Sequence, residues 1–566
     1  MPDVQVTIDG QQVSVPAGST VLDAAKAAGI DIPVLCAHDS LKPIGACRMC
    51  LVEVEKQRVL QPACTFPVSQ GMVVHTKSEP VLDSRRFVLQ LLFSERNHFC
   101  MYCQMSGSCE LQRLAYEHGL THWEFDRAYP KLPVDATRKY FVMDHNRCIL
   151  CRRCIRACDE LVGNRTLGLK NRGAETMVIA DMDVPFGQSS CVSCGTCLQI
   201  CPTGALMDRA SAYMGATDEI ERVKSRCNLC SVGCGVEWII RGNRVIRVEG
   251  DWDAEPNKGL LCEIGRFGLL HEKRQRVRKP LVKDNNGLVD ASWEDALQKV
   301  ATGLKTAGDK ATVVISGLAS TEAAQAAVSK LPGKKVTMGG ALPEANCAPI
   351  SALDEADLII VADVDLTQGS NYRMAGFPIK RSARHRGVRV IILDDDPNGL
   401  EPWARSKWSP AEAERAIELA RKALNPVIVY DKGSEKLAQQ LAAQLPHAKL
   451  IGFAPEGNTA GLAKAGVTEP FNASPSARAY YVIAGEAAQV GEELMQALAK
   501  ADFVAVQASF REPWEGVADV ILPSPTLPEK SGSFVNTEGR TFEMKAGVKT
   551  RIPSEVEIIE RLGALL

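Results

Sequence analysis

The chain has 566 residues, 45% of them hydrophobic and 24% charged, with a formal net charge of -2. The length suggests about three to five domains, and the near-neutral balance excludes a chain built to bind nucleic acid or an anionic membrane surface. No stretch approaches the ~18 apolar residues of a spanning helix, and the opening MPDVQVTIDG has neither the basic start nor the apolar run of a signal peptide.

Cysteine carries the information. Nineteen of the 20 cysteines fall into five spaced groups ending at Cys262, and only Cys347 follows. With no export signal, these thiols read as reduced and metal-bound, in a cytoplasmic protein. Thiolates at fixed spacing are the preferred ligands of iron–sulfur clusters.

The first group is approached through VQVTIDGQQVSV, whose alternation about Asp9-Gly10 predicts a hairpin. A helix follows over 21–28, closed by Gly29. A loop then carries Cys36, Cys47 and Cys50, and Cys64 follows the strand-like LVEVE. This order resembles the β-grasp [2Fe–2S] ferredoxins. The spacing Cys-x10-Cys-x2-Cys-x13-Cys is longer than the plant-type start. It is similar to the N-terminal domain of the large, 75 kDa-type iron–sulfur subunit of respiratory complex I (NADH:quinone oxidoreductase), a domain shared with NAD-linked hydrogenases and formate dehydrogenases. Four buried structural cysteines are the bland alternative.

The second group, in NHFCMYCQMSGSCELQ, has three thiols: Cys100, Cys103 and Cys109. A cubane needs a fourth ligand. The large complex I subunit has a His-x3-Cys-x2-Cys-x5-Cys pattern here, and by that resemblance His98 completes the set, although it stands only two positions before Cys100. His118 and His122 are the other candidates. A neutral imidazole in place of a thiolate should raise the cluster's potential. The preceding DSRRFVLQLLFSER has the pattern of an amphipathic helix.

Groups three and four are a repeat. Cys148-x2-Cys151-x2-Cys154-x3-Cys158 recurs 43 residues on as Cys191-x2-Cys194-x2-Cys197-x3-Cys201, followed by Pro202. In the bacterial two-cluster ferredoxins the fourth Cys of each run serves the other cluster. That implies one cubane on Cys148, Cys151, Cys154 and Cys201, and another on Cys191, Cys194, Cys197 and Cys158. The 32 residues between the runs should form a hairpin. Complex I usually keeps one of these two clusters; soluble NAD-linked hydrogenases and formate dehydrogenases tend to keep both.

The fifth group, Cys227-x2-Cys230-x3-Cys234-x27-Cys262, resembles the [4Fe–4S] module of molybdopterin oxidoreductases, as do VEWIIRGNRVIRVEGD and CEIGRFG. Structural zinc is the alternative use of four cysteines. Beyond it, ATVVISG, DLIIVADV, VRVIILDD, NPVIVYD, AYYVIAG and DFVAVQAS alternate with helical stretches, predicting a parallel sheet covered by helices. GSNYRMAGFPIKRSARHRGVRVIILDDDP, GFAPEGNTAGLAKAGV and ADVILPSPTLPEKSGSFVNTEGRTFE resemble segments of the molybdopterin-oxidoreductase body. A metal-binding Cys followed by His is missing: Cys347 is followed by Ala348 and Pro349, and the chain stops at Leu566 soon after NTEGR. Cys347 is therefore expected to be a small buried hydrophobe rather than a ligand, and Arg373, Lys380 and Arg381 solvated helix charges rather than remnants of cofactor-binding positions.

The expected architecture is multidomain α+β and α/β. It comprises a β-grasp [2Fe–2S] ferredoxin domain over 1–78, a [4Fe–4S] domain with one histidine and three cysteine ligands over 79–138, and a two-[4Fe–4S] ferredoxin domain over 139–215. A molybdopterin-type [4Fe–4S] module over 220–276 and a truncated molybdopterin-oxidoreductase-like α/β domain over 277–566 complete it. The resemblance implies an electron-transfer subunit of an NADH-linked oxidoreductase complex, not catalytic alone, with one [2Fe–2S] and four [4Fe–4S] clusters and no molybdopterin. There is no strand–GxGxxG–helix fingerprint for a nicotinamide or flavin. FMN and NAD are expected on a flavoprotein partner, beside a small [2Fe–2S] subunit and an acceptor or donor subunit, with no membrane span in this chain and at most a peripheral place at the inner membrane. Alternatives are the relay of an NAD-linked or bifurcating [NiFe]-hydrogenase or formate dehydrogenase and, further off, a molybdenum or tungsten catalytic subunit.

Overall fold

The structure, a computed structural model, describes residues 2–285, 287–339, 347–367, 370–474 and 476–566. Its contacts divide into two units, Met1–Ile220 and Glu221–Leu566.

In the first unit the opening hairpin pairs Asp3–Ile8 with Gln11–Pro16. Asp9 and Gly10 both have positive φ, 45° and 83°, as a two-residue primed turn requires. Val6, Ile8 and Val15 face inward. The helix Val21–Ala27 starts at Thr20, whose hydroxyl and the Asp23 carboxylate form a capping box, and it buries Val21, Leu22, Ala24 and Ala25. Among the described residues the sheet has five strands, with Met72–His75 running parallel to the first strand. The amphipathic run forms the helix Glu79–Glu95, burying Val81, Arg85, Leu89 and Phe93 at four-residue spacing. Leu89 and Phe93 pack with Leu35, Met49, Leu111 and Leu114, which joins the first cysteine loop to the second group. The stretch between the two Cys runs contains the expected hairpin, Leu167–Lys170 with Met177–Ala180.

In the second unit Glu221–Arg226, Gly235–Arg241 and Arg244–Gly250 form an antiparallel sheet. The expected single sheet is here two. Strands Ala311–Ile315, Lys334–Thr337, Ala479–Gly485, Phe503–Ala508 and Val520–Pro523 run parallel, with an antiparallel hairpin at the edge. Strands Leu358–Ala362, Arg389–Leu393, Ser406–Trp408, Pro426–Asp431 and Lys449–Phe453 form a second, wholly parallel sheet. The chain leaves the first sheet at Thr337 and rejoins it at Ala479. Both sheets are covered on both faces, so their strands read alike as apolar runs, and pattern alone cannot say which run pairs with which.

Candidate metal centres

Cys36, Cys50 and Cys64 are buried and Cys47 is half-buried. The Cys47 N–H donates to Cys36 Sγ at 3.4 Å. Hydrogen bonds from the Cys47 and Cys64 thiols hold the Cys36 sulfur down to about 2. As donors in a buried cluster, Cys47 and Cys64 are pushed far up. Four sulfurs this close cannot all ionise without a cation among them. The loop is pinned from outside by Arg156, whose guanidinium donates to the Cys36 and Lys42 carbonyls. Arg156 lies between Cys154 and Cys158, so groups one and three are neighbours.

Phe93, His98, Cys100, Cys103, Cys109 and Arg147 line one cavity. The His98 Nε2 atom is buried there without a hydrogen-bond partner, an arrangement that costs ~1–3 kcal/mol if nothing binds it. Burial lowers the His98 pKa to about 4, so the ring is neutral with a lone pair to give. His118 meets the Leu114 carbonyl at 3.0 Å and His122 the Thr121 hydroxyl at 3.0 Å, and neither lines this cavity. Burial pushes the Cys109 thiol up to about 12. A Cβ on Gly204 would stand 2.9 Å from Cys103 Sγ, so only glycine lets this turn approach the sulfur.

The two runs of the repeat share a backbone form. Leu150 and Arg152 have φ of 52° and 61°, and Ser193 and Gly195, at the same places in the second run, 53° and 67°. Left-handed backbone at Leu and Arg is strained, and here it turns an amide towards sulfur. Leu150 N–H donates to Cys148 Sγ and Ser193 N–H to Cys191 Sγ, both at 3.4 Å. Cys158, Cys191, Cys194 and Cys197 line one cavity. Cys148, Cys151 and Cys154 lie close to Cys201, whose sulfur adds to the cost of ionising each of them. Burial is the larger cause, pushing Cys148 and Cys158 up to about 11.

In the second unit Cys227, Cys230, Cys234 and Cys262 are buried and line a cavity closed by Leu229, Leu261, Ile264, Asn371 and Met374. The Gly265 N–H donates to Cys262 Sγ at 3.4 Å. The body grips this loop at three points whose pairing the sequence does not reveal. Asn228 Nδ2 donates to the Leu318 carbonyl at 3.0 Å, the Ser231 hydroxyl accepts from Ala454 N–H at 2.8 Å, and the Ser231 carbonyl accepts from Thr537 N–H at 2.8 Å. The NTEGR segment thus clamps the cysteine loop. Among the described residues no three His, Cys, Asp or Glu side chains converge on a single ion position. In three of the groups the candidate side chains instead ring a cavity, as a multi-atom cluster needs.

Three basic residues are not solvated helix charges, contrary to expectation. Lys380 is 3% exposed with its ammonium 4.3 Å from the Trp403 ring centroid. Arg373 pairs with Glu263 at 2.7 Å beside Cys262, and Arg381 Nε donates to Asp354 at 3.2 Å. Cys347 is half-buried beside Tyr430 rather than buried. Residues 340–346 before it, and Gly369 of the GSNYRM segment, lie outside the described residues.

At the carboxyl end of Ala311–Ile315, the backbone and hydroxyl donors that could receive a phosphate are taken. Glu456 accepts from Gly317 N–H at 2.6 Å and Ser316 Oγ at 2.9 Å. Asn458 of the glycine loop is a structural pin, donating to the Ala319 carbonyl and accepting from Val535 N–H, each at 2.9 Å. Burial raises the Glu456 carboxyl above its usual range, against the hydrogen bonds that lower it. The folded chain then keeps a proton that the unfolded chain loses above about pH 4.3. That contribution to stability is full below this pH and is lost as pH rises through the folded value. Glu456→Gln is expected to flatten the decline: urea midpoints of variant and parent should coincide in acid and part in the variant's favour towards neutrality. Parallel curves over this range would refute a buried, raised carboxyl.

Known families divide the chain along these lines. The 2Fe-2S iron-sulfur cluster binding domain matches residues 2–79, and the NADH-ubiquinone oxidoreductase-G iron-sulfur binding region 85–123. The ferredoxin-like domain of NADH-quinone oxidoreductase subunit 3 matches 139–207, the molybdopterin oxidoreductase Fe4S4 domain 220–273, and the molybdopterin oxidoreductase family 276–436 and 463–557. The class is therefore an iron–sulfur protein with 2Fe–2S and 4Fe–4S cluster-binding domains on a molybdopterin-oxidoreductase-like body. More particularly, the chain is similar to the large iron–sulfur subunit of NADH-quinone oxidoreductase. It is 29% identical to subunit 3 of that enzyme from Thermus thermophilus over 99% of this chain and 81% of that one. It is 31% identical to a G-type subunit of the Rhizobium meliloti enzyme over 76% of this chain and 52% of that one. The chain thus spans about half the length of the Rhizobium relative. A solved NAD+-reducing [NiFe]-hydrogenase has a chain 38% identical over 38% of this chain and 90% of that one, with a TM-score of 0.36. No described helix is long and apolar enough to cross a membrane.

Proposed function

We propose that the chain is an electron-relay subunit of an NADH-linked oxidoreductase complex, with one [2Fe–2S] and four [4Fe–4S] clusters. The ligand sets are Cys36, Cys47, Cys50 and Cys64; His98, Cys100, Cys103 and Cys109; Cys148, Cys151, Cys154 and Cys201; Cys158, Cys191, Cys194 and Cys197; and Cys227, Cys230, Cys234 and Cys262. The observation that carries this reading is the buried His98 Nε2, unpartnered in a cavity that three thiols line with it. Bound at these positions, iron–sulfur clusters supply one-electron oxidation and reduction. The chain's own residues keep water out, aim N–H groups at sulfur and hold arginines nearby, and these set the potentials.

Hydride chemistry belongs to a partner in this reading: an FMN- and NADH-binding flavoprotein, beside a small [2Fe–2S] subunit and an acceptor or donor subunit in the cytoplasm. In this reading the body holds no molybdopterin: the buried carboxyl of Glu456 occupies the Gly317 N–H and the Ser316 hydroxyl, donors that could otherwise receive a phosphate. A second reading, the relay of a hydrogenase or formate dehydrogenase, is favoured by the doubled ferredoxin run, which provides two cluster sites.

Metal analysis of anaerobically purified chain tests the proposal. About 18 irons per chain are expected, from one two-iron and four four-iron centres, with no molybdenum or tungsten. Zinc in place of iron would refute it. His98→Ala should lose about four irons, while His118→Ala and His122→Ala should lose none.

A further inference from the structure

Arg147 stands between two cysteine groups. Its side chain lines the cavity of His98, Cys100, Cys103 and Cys109, while the next residue, Cys148, belongs to the neighbouring set. The side chain is only 15% exposed. Its Nε donates to Asp144 Oδ2 at 2.9 Å, and Nη1 is buried with no hydrogen-bond partner. Both ends of the clamp are fixed. Asp144 Oδ1 accepts from Asn146 N–H at 3.0 Å, and the Arg147 carbonyl accepts from the Thr203 hydroxyl at 2.9 Å. Thr203 precedes Gly204, the residue that brings its turn against Cys103.

We propose that Arg147 is a positioning residue that raises the reduction potential of the centre held by His98, Cys100, Cys103 and Cys109, with Asp144 as its counterweight. This rests on the ligand set proposed above. Reduction adds one negative charge to a site from which water is excluded. A fixed guanidinium there stabilises the reduced form more than the oxidised one, and a donor aimed at a ligand sulfur acts in the same direction. A guanidinium is always protonated in a protein, and this one is held in place by its ion pair with the Asp144 carboxylate at 2.9 Å. The Asp144 carboxylate cancels part of the field. The two residues therefore push the potential in opposite senses, which separates tuning from mere loss of packing.

The test is an EPR-monitored redox titration of the whole chain. Arg147→Gln is expected to shift the reduced-to-oxidised ratio of this centre at fixed potential at least tenfold towards the oxidised form, about 59 mV for one electron. Asp144→Asn is expected to shift it the other way. The centre in the Cys191 cavity, which Arg147 does not line, should move less. His98→Ala identifies the signal. A signal that survives His98→Ala unmoved overturns the ligand set and the proposal with it. A signal abolished by His98→Ala, yet unmoved or moved in the same sense by both Arg147→Gln and Asp144→Asn, overturns the proposal alone.

Discussion

Cys158→Ala is expected to extinguish the centre around Cys191, Cys194 and Cys197, and to spare the one begun by its own run. Sequence proximity says the opposite, since Cys158 lies four positions from Cys154 and 33 from Cys191. Geometry decides, because Cys158 lines the cavity of the second run. Its carbonyl accepts from Asn164 N–H at 2.9 Å and Arg165 N–H at 3.2 Å, which fixes the turn that points the residue there. Cys201→Ala should do the converse and remove the centre on Cys148, Cys151 and Cys154, whose charges interact with Cys201. Each variant should lose about four irons and one of two low-temperature EPR signals, and the signal lost should differ between them. If both variants lost the signal of their own run, the crossing would be wrong and each run would close on itself.

How much of this was legible in sequence depends on how local the cause is. The hairpin at Asp9-Gly10, the capped helix after Thr20 and the two Cys runs are each specified within a few residues, and all are found. The division of the body into two sheets is not local. Leu358–Ala362 and Ala479–Gly485 are equally apolar, and only their pairing, the first with Pro426–Asp431 and the second back to Ala311–Ile315, assigns them to different sheets. The same limit hid the cost of the charges. Arg373 and Lys380 look like helix-surface residues until Glu263 and the Trp403 ring, distant in sequence, are brought against them. The clamp on the Cys227–Cys234 loop by Ala454, Leu318 and Thr537 is not legible from any of those segments, because its bonds join residues far apart in sequence across the fold. His98 was legible as a candidate, but its unpartnered Nε2 is a fact of packing alone.

The largest effect on stability is expected at Lys530, which lies in the PEKSG segment before NTEGR. Its ammonium meets Glu555 Oε1 at 2.8 Å, with side chains 4% and 5% exposed. It also donates to the Leu318 carbonyl at 3.3 Å, and the Ser524 hydroxyl donates to the same Glu555 oxygen at 2.9 Å. Glu486 is close by, its carboxyl raised by burial and lowered by Lys530. Lys530→Met keeps the length of the stem but leaves Glu555 as a buried charge without its cation. Removing one partner of such a pair costs about 3–5 kcal/mol, whereas replacing both by apolar groups of similar size is often neutral. Lys530→Met should therefore lower the urea midpoint of the whole chain sharply, and Lys530→Met with Glu555→Leu should recover most of the loss. The two outcomes separate charge from packing. If the double variant were as unstable as the single, the damage would lie in the fit of the side chains. If the single variant were as stable as the parent, water would have to reach Glu555, and this end of the seven-stranded sheet would not be sealed. Since Leu318 accepts from both Lys530 and Asn228 of the cysteine loop, losing this pair should also loosen the grip on Cys227–Cys234, read as a broadened EPR signal from that centre alone.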